Sequence, residues 1–146
     1  MASKIVSKDL PLQGITLRKY EEPAKLKKRE LAKKFLLSIG LLQPGESRDI
    51  IVDIFVALLQ ARKKKKTLDV STIIQKIPNK AGISEPNVRR QLRRLKDLKL
   101  IEKSGEGYRI TEFGQIQPIV SDFVIQFLIN PSVERLKQYA EAIDQF

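Results

Sequence analysis

The apolar positions of this chain change period along its length, and each change marks an element. Between Ser84 and Leu98, Val88, Leu92 and Leu95 recur at spacings of four and three, which predicts a helix with one buried stripe. Ser84 is placed to cap it, Pro86 falls in the first turn where a missing amide costs little, and Glu85 suits the positive end of the dipole. The period then shortens. Ile101 and Ile110 bound two short β segments around the flexible tip Ser104-Gly105-Glu106-Gly107, a hairpin pattern.

Upstream, residues 1–22 read as an irregular arm punctuated by Pro11 and Gly14, with Ile15–Tyr20 as a possible short strand. Pro23 opens a predicted helix to about Ile39, stopped by Gly40, with Leu26, Phe35, Leu36 and Ile39 inward. After the turn Gln43–Glu46, Ser47 is read as the cap of a helix Arg48–Ala61, apolar around most of its circumference and therefore central. Leu68–Val70 fits a small strand. Ser71 is read as the cap of a short helix facing Ile73, Ile74 and Ile77 inward, and residues 78–83 form the turn, with Gly82 suited to a left-handed position.

Beyond the hairpin, Thr111 is expected to cap the next helix, which carries Ile116, Ile119, Val120, Phe123, Val124, Phe127 and Leu128 at helical spacing. Pro118 either kinks this helix or starts a new one. Asn130-Pro131 is expected to break it, with Ser132 capping a last helix that places Leu136, Tyr139, Ala140 and Ile143 on one face. The apolar surplus beyond what a small domain needs suggests a homodimer through these C-terminal helices; intramolecular packing alone is the other reading.

Composition narrows the chemistry. The chain has 146 residues, enough for one domain with a real core. It has no cysteine, so no disulfide or thiolate metal site, and no histidine, so neither the usual general base nor the commonest metal ligand. No phosphate-cradling loop and no plausibly paired carboxylates are found; Asp49 and Asp53, four apart, are expected to meet nearby lysines. An enzyme, a cofactor and a metal are therefore not expected. No apolar run is long enough for a membrane span and no signal-peptide core is present, so a cytoplasmic protein without a membrane partner is expected. The lysine- and isoleucine-rich composition resembles that of proteins from thermophilic archaea.

The net charge of +11 is unevenly placed. Residues 1–75 carry 16 basic and 8 acidic side chains, residues 76–109 carry 10 and 4, and residues 110–146 carry 2 and 5. A basic body with an acidic tail implies a polyanion partner for the body. Arg89, Arg90, Arg93 and Arg94 make one side of the helix after Ser84 cationic, and arginine's planar fork suits phosphates and guanine edges. The lysines of Pro23–Ile39 are either a solvated basic face or a phosphate-contacting surface. Lys63, Lys64, Lys65 and Lys66 after Arg62 read as helix C-terminal charge in a solvated loop, as a backbone clamp, or as a localisation-type patch.

Two helices joined by a turn, then Leu100-Ile-Glu-Lys103 and Gly107-Tyr-Arg-Ile-Thr111 as a hairpin, resemble the winged helix-turn-helix superfamily of archaeal and bacterial regulators. The resemblance covers about a third of the chain and is a fold signature. It implies a mainly α chain with a small β hairpin (α+β), divided into an arm (1–22), an appended basic helix and turn (23–46), a winged domain (47–114) and C-terminal helices (115–146). It further implies sequence-specific binding of double-stranded DNA, with the helix Ser84–Leu98 in the major groove and two copies reading half-sites about one helical turn apart. Ser84, Asn87, Arg89, Arg90, Arg93, Arg94 and Lys96 are then the recognition-helix candidates. Glu102 and Glu106 dilute the wing's charge and leave it Lys103 and Arg109. Lys80 joins Lys63–Lys66 as a backbone candidate. Non-specific or architectural nucleic-acid binding is the alternative, and RNA fits less well because Tyr108 is the only aromatic in the region.

Overall fold

Two helices set the frame of the computed structural model, which describes residues 9–79 and 83–146. α1 (Lys28–Ser38) packs on α2 (Ile50–Lys63) through Leu36 and the stacked rings of Phe35 and Phe55, 5.9 Å apart. α2 is central, as its apolar circumference predicts: Val52, Ile54 and Leu58 are fully buried. Burying each such side chain contributes about 2 kcal/mol.

α1 starts later than the sequence pattern suggests. Pro23–Lys25 forms only a 3₁₀ turn, Leu26 and Lys27 are extended, and Leu26 is half-buried. Gly40 ends α1 in the left-handed region (φ +81°), where a Cβ would stand 2.8 Å from Thr16. Thr16 belongs to the segment read as a strand. That segment forms none; it runs beside the end of α1 and makes one backbone bond, from the Arg18 amide to the Ser38 carbonyl (2.9 Å).

α2 begins at Ile50, with Asp49 rather than Ser47 in the capping position. Of the predicted strand Leu68–Val70 only Leu68 pairs, exchanging two backbone bonds with Tyr108 (2.9 and 2.8 Å). The next residue is already committed to α3 (Val70–Lys76): Asp69, not Ser71, caps it by accepting from the Thr72 amide (2.8 Å). Of the turn at 78–83, Lys80, Ala81 and Gly82 lie outside the described residues.

α4 (Glu85–Asp97) starts where its signals place it. Ser84 accepts from the Asn87 amide (3.3 Å), and Val88, Leu92 and Leu95 are fully buried against α2, α3 and the hairpin. The hairpin pairs β1 (Ile101–Ser104) with β2 (Gly107–Ile110) antiparallel, with Ile101 opposite Ile110. Its two-residue tip puts Gly105 first at φ +62°, a turn with glycine at the first central position. The protein is thus mainly helical with a small two-stranded antiparallel sheet.

Thr111 caps no helix. Its hydroxyl donates to the Lys99 carbonyl (2.6 Å) and it opens a 3₁₀ turn, Thr111–Phe113. The main departure follows. α5 (Ile116–Ile119), a π-helical stretch Val120–Ile129, and α6 (Asn130–Asp144) run together as one helix, 116–144, with helical backbone at both junctions. Pro118 sits in its first turn, where no amide is required. Asn130-Pro131 does not break it. Pro131 removes an amide, but the carbonyls left open find other donors: Gln13 Nε2 reaches the carbonyls of Leu128 (2.8 Å) and Phe127 (3.4 Å). Ser132 is not a cap; its Oγ donates back to Leu128 (2.8 Å). Among the described residues no helix is long and apolar enough to cross a membrane.

Candidate nucleic-acid interface

α4 is held by its apolar stripe, so its remaining side chains divide into two flanks and an outer edge. One flank is internally bonded: Gln91 Nε2 donates to Asn87 Oδ1 (3.0 Å), and Arg94 donates to Gln91 Oε1 (2.8 Å). On the other flank Arg89 makes two hydrogen bonds to Glu85 Oε1 (3.1 and 2.9 Å) one turn earlier. Arg90 and Arg93 lie on the outer edge. Both are exposed, and among the described residues neither forms a hydrogen bond or an ion pair. Lys96, also exposed and unpaired, stands nearer the C-terminus. The first turn thus presents capped backbone at Ser84, and Arg90 and Arg93 follow it as extended cations.

A groove lies on each side of the helix. Toward the hairpin, about 530 Å³ is bounded by α3, α4 and the tip, and its ionisable lining is Asp69, Glu85, Glu106, Arg89 and Lys103. Carboxylates outnumber cations there. Toward the start of α2, a groove of about 340 Å³ brings Arg48 beside Arg90, with Ser84, Asn87 and Glu46. Sequence reasoning missed Arg48. It lies far from α4 along the chain, in a loop whose pattern carries no functional signal, and only the fold makes it a neighbour.

The hairpin supplies less charge than its sequence offers. Arg109 is opposite Glu102 in the register and is bound to it (Nε to Oε2, 2.7 Å), with its guanidinium also over the Phe113 ring at 4.8 Å. Glu102 in turn accepts from the Glu112 amide (3.0 Å). Arg109 is therefore a cross-strand clamp, tied to Glu102 rather than carried as an unpaired cation. Lys103 remains exposed.

The lysine run precedes the strand-like residue Leu68. Leu68 pairs antiparallel with Tyr108, so the residues before it run toward Ile110 at the hairpin's base, whereas the first turns of α4 border the tip at Glu106. Backbone amides of this run close α2, with Lys65 left-handed (φ 52°) and the Lys66 amide on the Ala61 carbonyl (3.1 Å). The side chains of Lys63, Lys64, Lys65 and Lys66 are exposed and have no partner among the described residues, while Arg62 donates to the Gly114 carbonyl (2.9 Å). Lys80 lies outside the described residues.

The cations of α1 have a different role from those of α4. Arg29 makes a forked contact with Asp53 (2.9 and 3.1 Å) and reaches Asp49 (3.1 Å), tying α1 to the N-terminus of α2. The hydrogen bond to Asp53, ahead of that to Asp49, raises the guanidinium's pKa further above its ordinary value. The expected lysine is present for Asp49 in Lys33, at 3.9 Å, and Arg29 bonds both carboxylates besides. Lys34 bonds Glu21 (2.9 Å) and covers the Tyr20 ring (4.8 Å). Among the described residues no cluster of carboxylates could hold a metal ion.

Comparison of the chain with protein-family models, with curated proteins and with solved structures finds no match.

Proposed function

We propose that the protein binds double-stranded DNA as a winged helix-turn-helix module, laying α4 in the major groove and acting as a sequence-reading regulator. The observation that carries this reading is the pair Arg90 and Arg93, exposed, without a partner among the described residues, and carried on the outer edge of a helix whose other face is fully buried. A planar fork on a fixed helix is the group that reads a guanine edge bidentately, at a discrimination of about 1–3 kcal/mol per pair. The order α2, the Leu68 bridge, α3, α4 and hairpin supports the module. Arg48 joins Arg90 as a phosphate contact beside the recognition helix. The wing contributes through Lys103 alone, because Arg109 is spent on Glu102.

One observation favours a second reading, non-specific or architectural binding. Most unpaired cations lie off α4: Lys25, Lys27 and Lys28 before and in α1, and Lys63–Lys66 after α2. Lysines in that number bind phosphate without reading sequence.

A salt series with a labelled duplex from the gene's own upstream region against random duplex separates the two. A preference of about 10³ or more at physiological salt supports the regulator. Arg90→Ala and Arg93→Ala should then each cost about 1–3 kcal/mol and relax discrimination. Equal affinities that fall together with salt give the architectural reading the lead. Binding to neither duplex overturns both.

A further inference from the structure

Helix 116–144 leaves a ridge and a groove that its own chain does not bring together. The ridge is at the far end. No residue of α6 is buried, and Leu136, Tyr139 and Ile143, at helical spacing on one face, are 69%, 66% and 63% exposed. The groove is at the root, about 520 Å³, with Leu17, Phe35, Ile39, Val120 and Val124 among its walls. Ile125 and Ile129 line this groove and also begin the face that continues to Leu136 and Ile143, so one stripe joins the two. Ile125 and Ile143 stand about 27 Å apart along the axis, and a continuous helix cannot fold its tip onto its root.

We infer that a second copy of this chain occupies the groove: two 116–144 helices pair antiparallel, each seating its Leu136–Ile143 ridge at the other's root. A two-fold arrangement satisfies both surfaces at once, since each chain offers the same ridge and the same groove. Leu17, Ile125, Val133, Leu136, Tyr139 and Ile143 expose about 700 Å² per copy. Were all of it covered, two copies would bury about 1,400 Å², inside the range of stable interfaces. Other occupants fit the chemistry less well. The ridge is apolar and its helix is nearly balanced in charge, with Glu134, Glu141 and Asp144 against Arg135 and Lys137, so it offers no cationic face to a nucleic-acid backbone or an anionic membrane surface. The inference does not depend on the proposed DNA binding.

Sedimentation equilibrium of the full chain over roughly 1–100 µM tests it, a span in which a dimer of micromolar Kd associates. The expected result is a two-chain mass for the wild type and a one-chain mass for Leu136→Glu and for Ile143→Glu. Circular dichroism should be unchanged, because both sites are exposed. The chain has no cysteine, so direction is read by disulfide trapping: a mixture of Ile143→Cys and Leu17→Cys chains should link to each other in preference to themselves. A one-chain wild-type mass throughout the range overturns the inference. So does a two-chain mass for both glutamate variants, or preferential linkage of Ile143→Cys to itself.

Discussion

α4 and α6 are written in the same alphabet and meet opposite fates. In α4 the apolar spacing 88, 92, 95 ends with all three side chains fully buried; in α6 the spacing 136, 139, 143 leaves all three about two-thirds exposed. α4 sets its stripe against a more strongly polar opposite face than α6 does, but the spacing of the stripes alone does not foretell their fates. The difference lies in what the rest of the chain delivers: α2, α3 and the hairpin close over α4, while among the described residues α6 has the arm at Leu10–Gln13 beside its start and buries none of its side chains. An apolar stripe specifies which side of a helix avoids water. What covers that side is a property of the whole chain, or of a second one.

The largest effect that separates the two stripes is on stability. Leu92→Ala opens a cavity in a closed core and should cost about 2–5 kcal/mol in urea unfolding. Leu136→Ala, measured where the chain is a single copy, should stay within about 0.5 kcal/mol of wild type. Comparable losses at the two positions would mean that α6 packs within its own chain, and the comparison would fail.

What the sequence made legible follows the same division. The recognition-type helix could be placed almost to the residue, because Ser84, Pro86 and the 88/92/95 stripe are local signals that agree with one another. The hairpin was legible from the glycine tip and its flanking isoleucines. Signals that needed a distant partner were misread. Asn130-Pro131 reads as a stop only while Gln13 is ignored, since its side-chain amide serves the carbonyls beside the proline. Ser47, Ser71 and Thr111 are plausible caps one at a time, but Asp49 and Asp69 hold the capping positions and Thr111 is drawn to Lys99. In the candidate site, pairing separates the arginines in a way their spacing could not. Arg109 and Arg89 have carboxylate partners, whereas Arg90 and Arg93 have none among the described residues.

A smaller effect sharpens the contrast between the two basic helices. Arg29 on α1 and Arg90 on α4 look alike in a charge count, yet Arg29 is bonded to a buried carboxylate and Arg90 is solvated. Charge-assisted bonds across a partly open contact should make Arg29→Ala cost about 1–2 kcal/mol of stability. Arg90→Ala should be neutral to within about 0.5 kcal/mol and act only on DNA affinity. Urea midpoints and the duplex assay, run on both variants, check the pair. A stability loss at Arg90 equal to that at Arg29 would remove the distinction between a structural cation and a free one.

The smallest effect is a pH dependence at the start of α3, which forms one wall of the groove beside α4. The Thr72 backbone amide, and then the Thr72 side chain, hold the Asp69 carboxyl below its ordinary value of 3.8. A carboxyl whose pKa falls on folding binds fewer protons in the folded state than in the unfolded one. Its contribution is therefore complete above the ordinary value and is lost as pH falls through the lowered one. Asparagine caps a helix about as well as aspartate but does not titrate in this range. Asp69→Asn should therefore leave stability near neutral pH almost unchanged and lose less of it on acidification. Urea midpoints of the two proteins should nearly coincide at about pH 6, and on acidification below the ordinary carboxyl value the variant's should fall less. Parallel losses would show that the charge at Asp69 adds nothing to the hydrogen bond that any capping oxygen makes, and that acid sensitivity arises from other carboxylates of the chain.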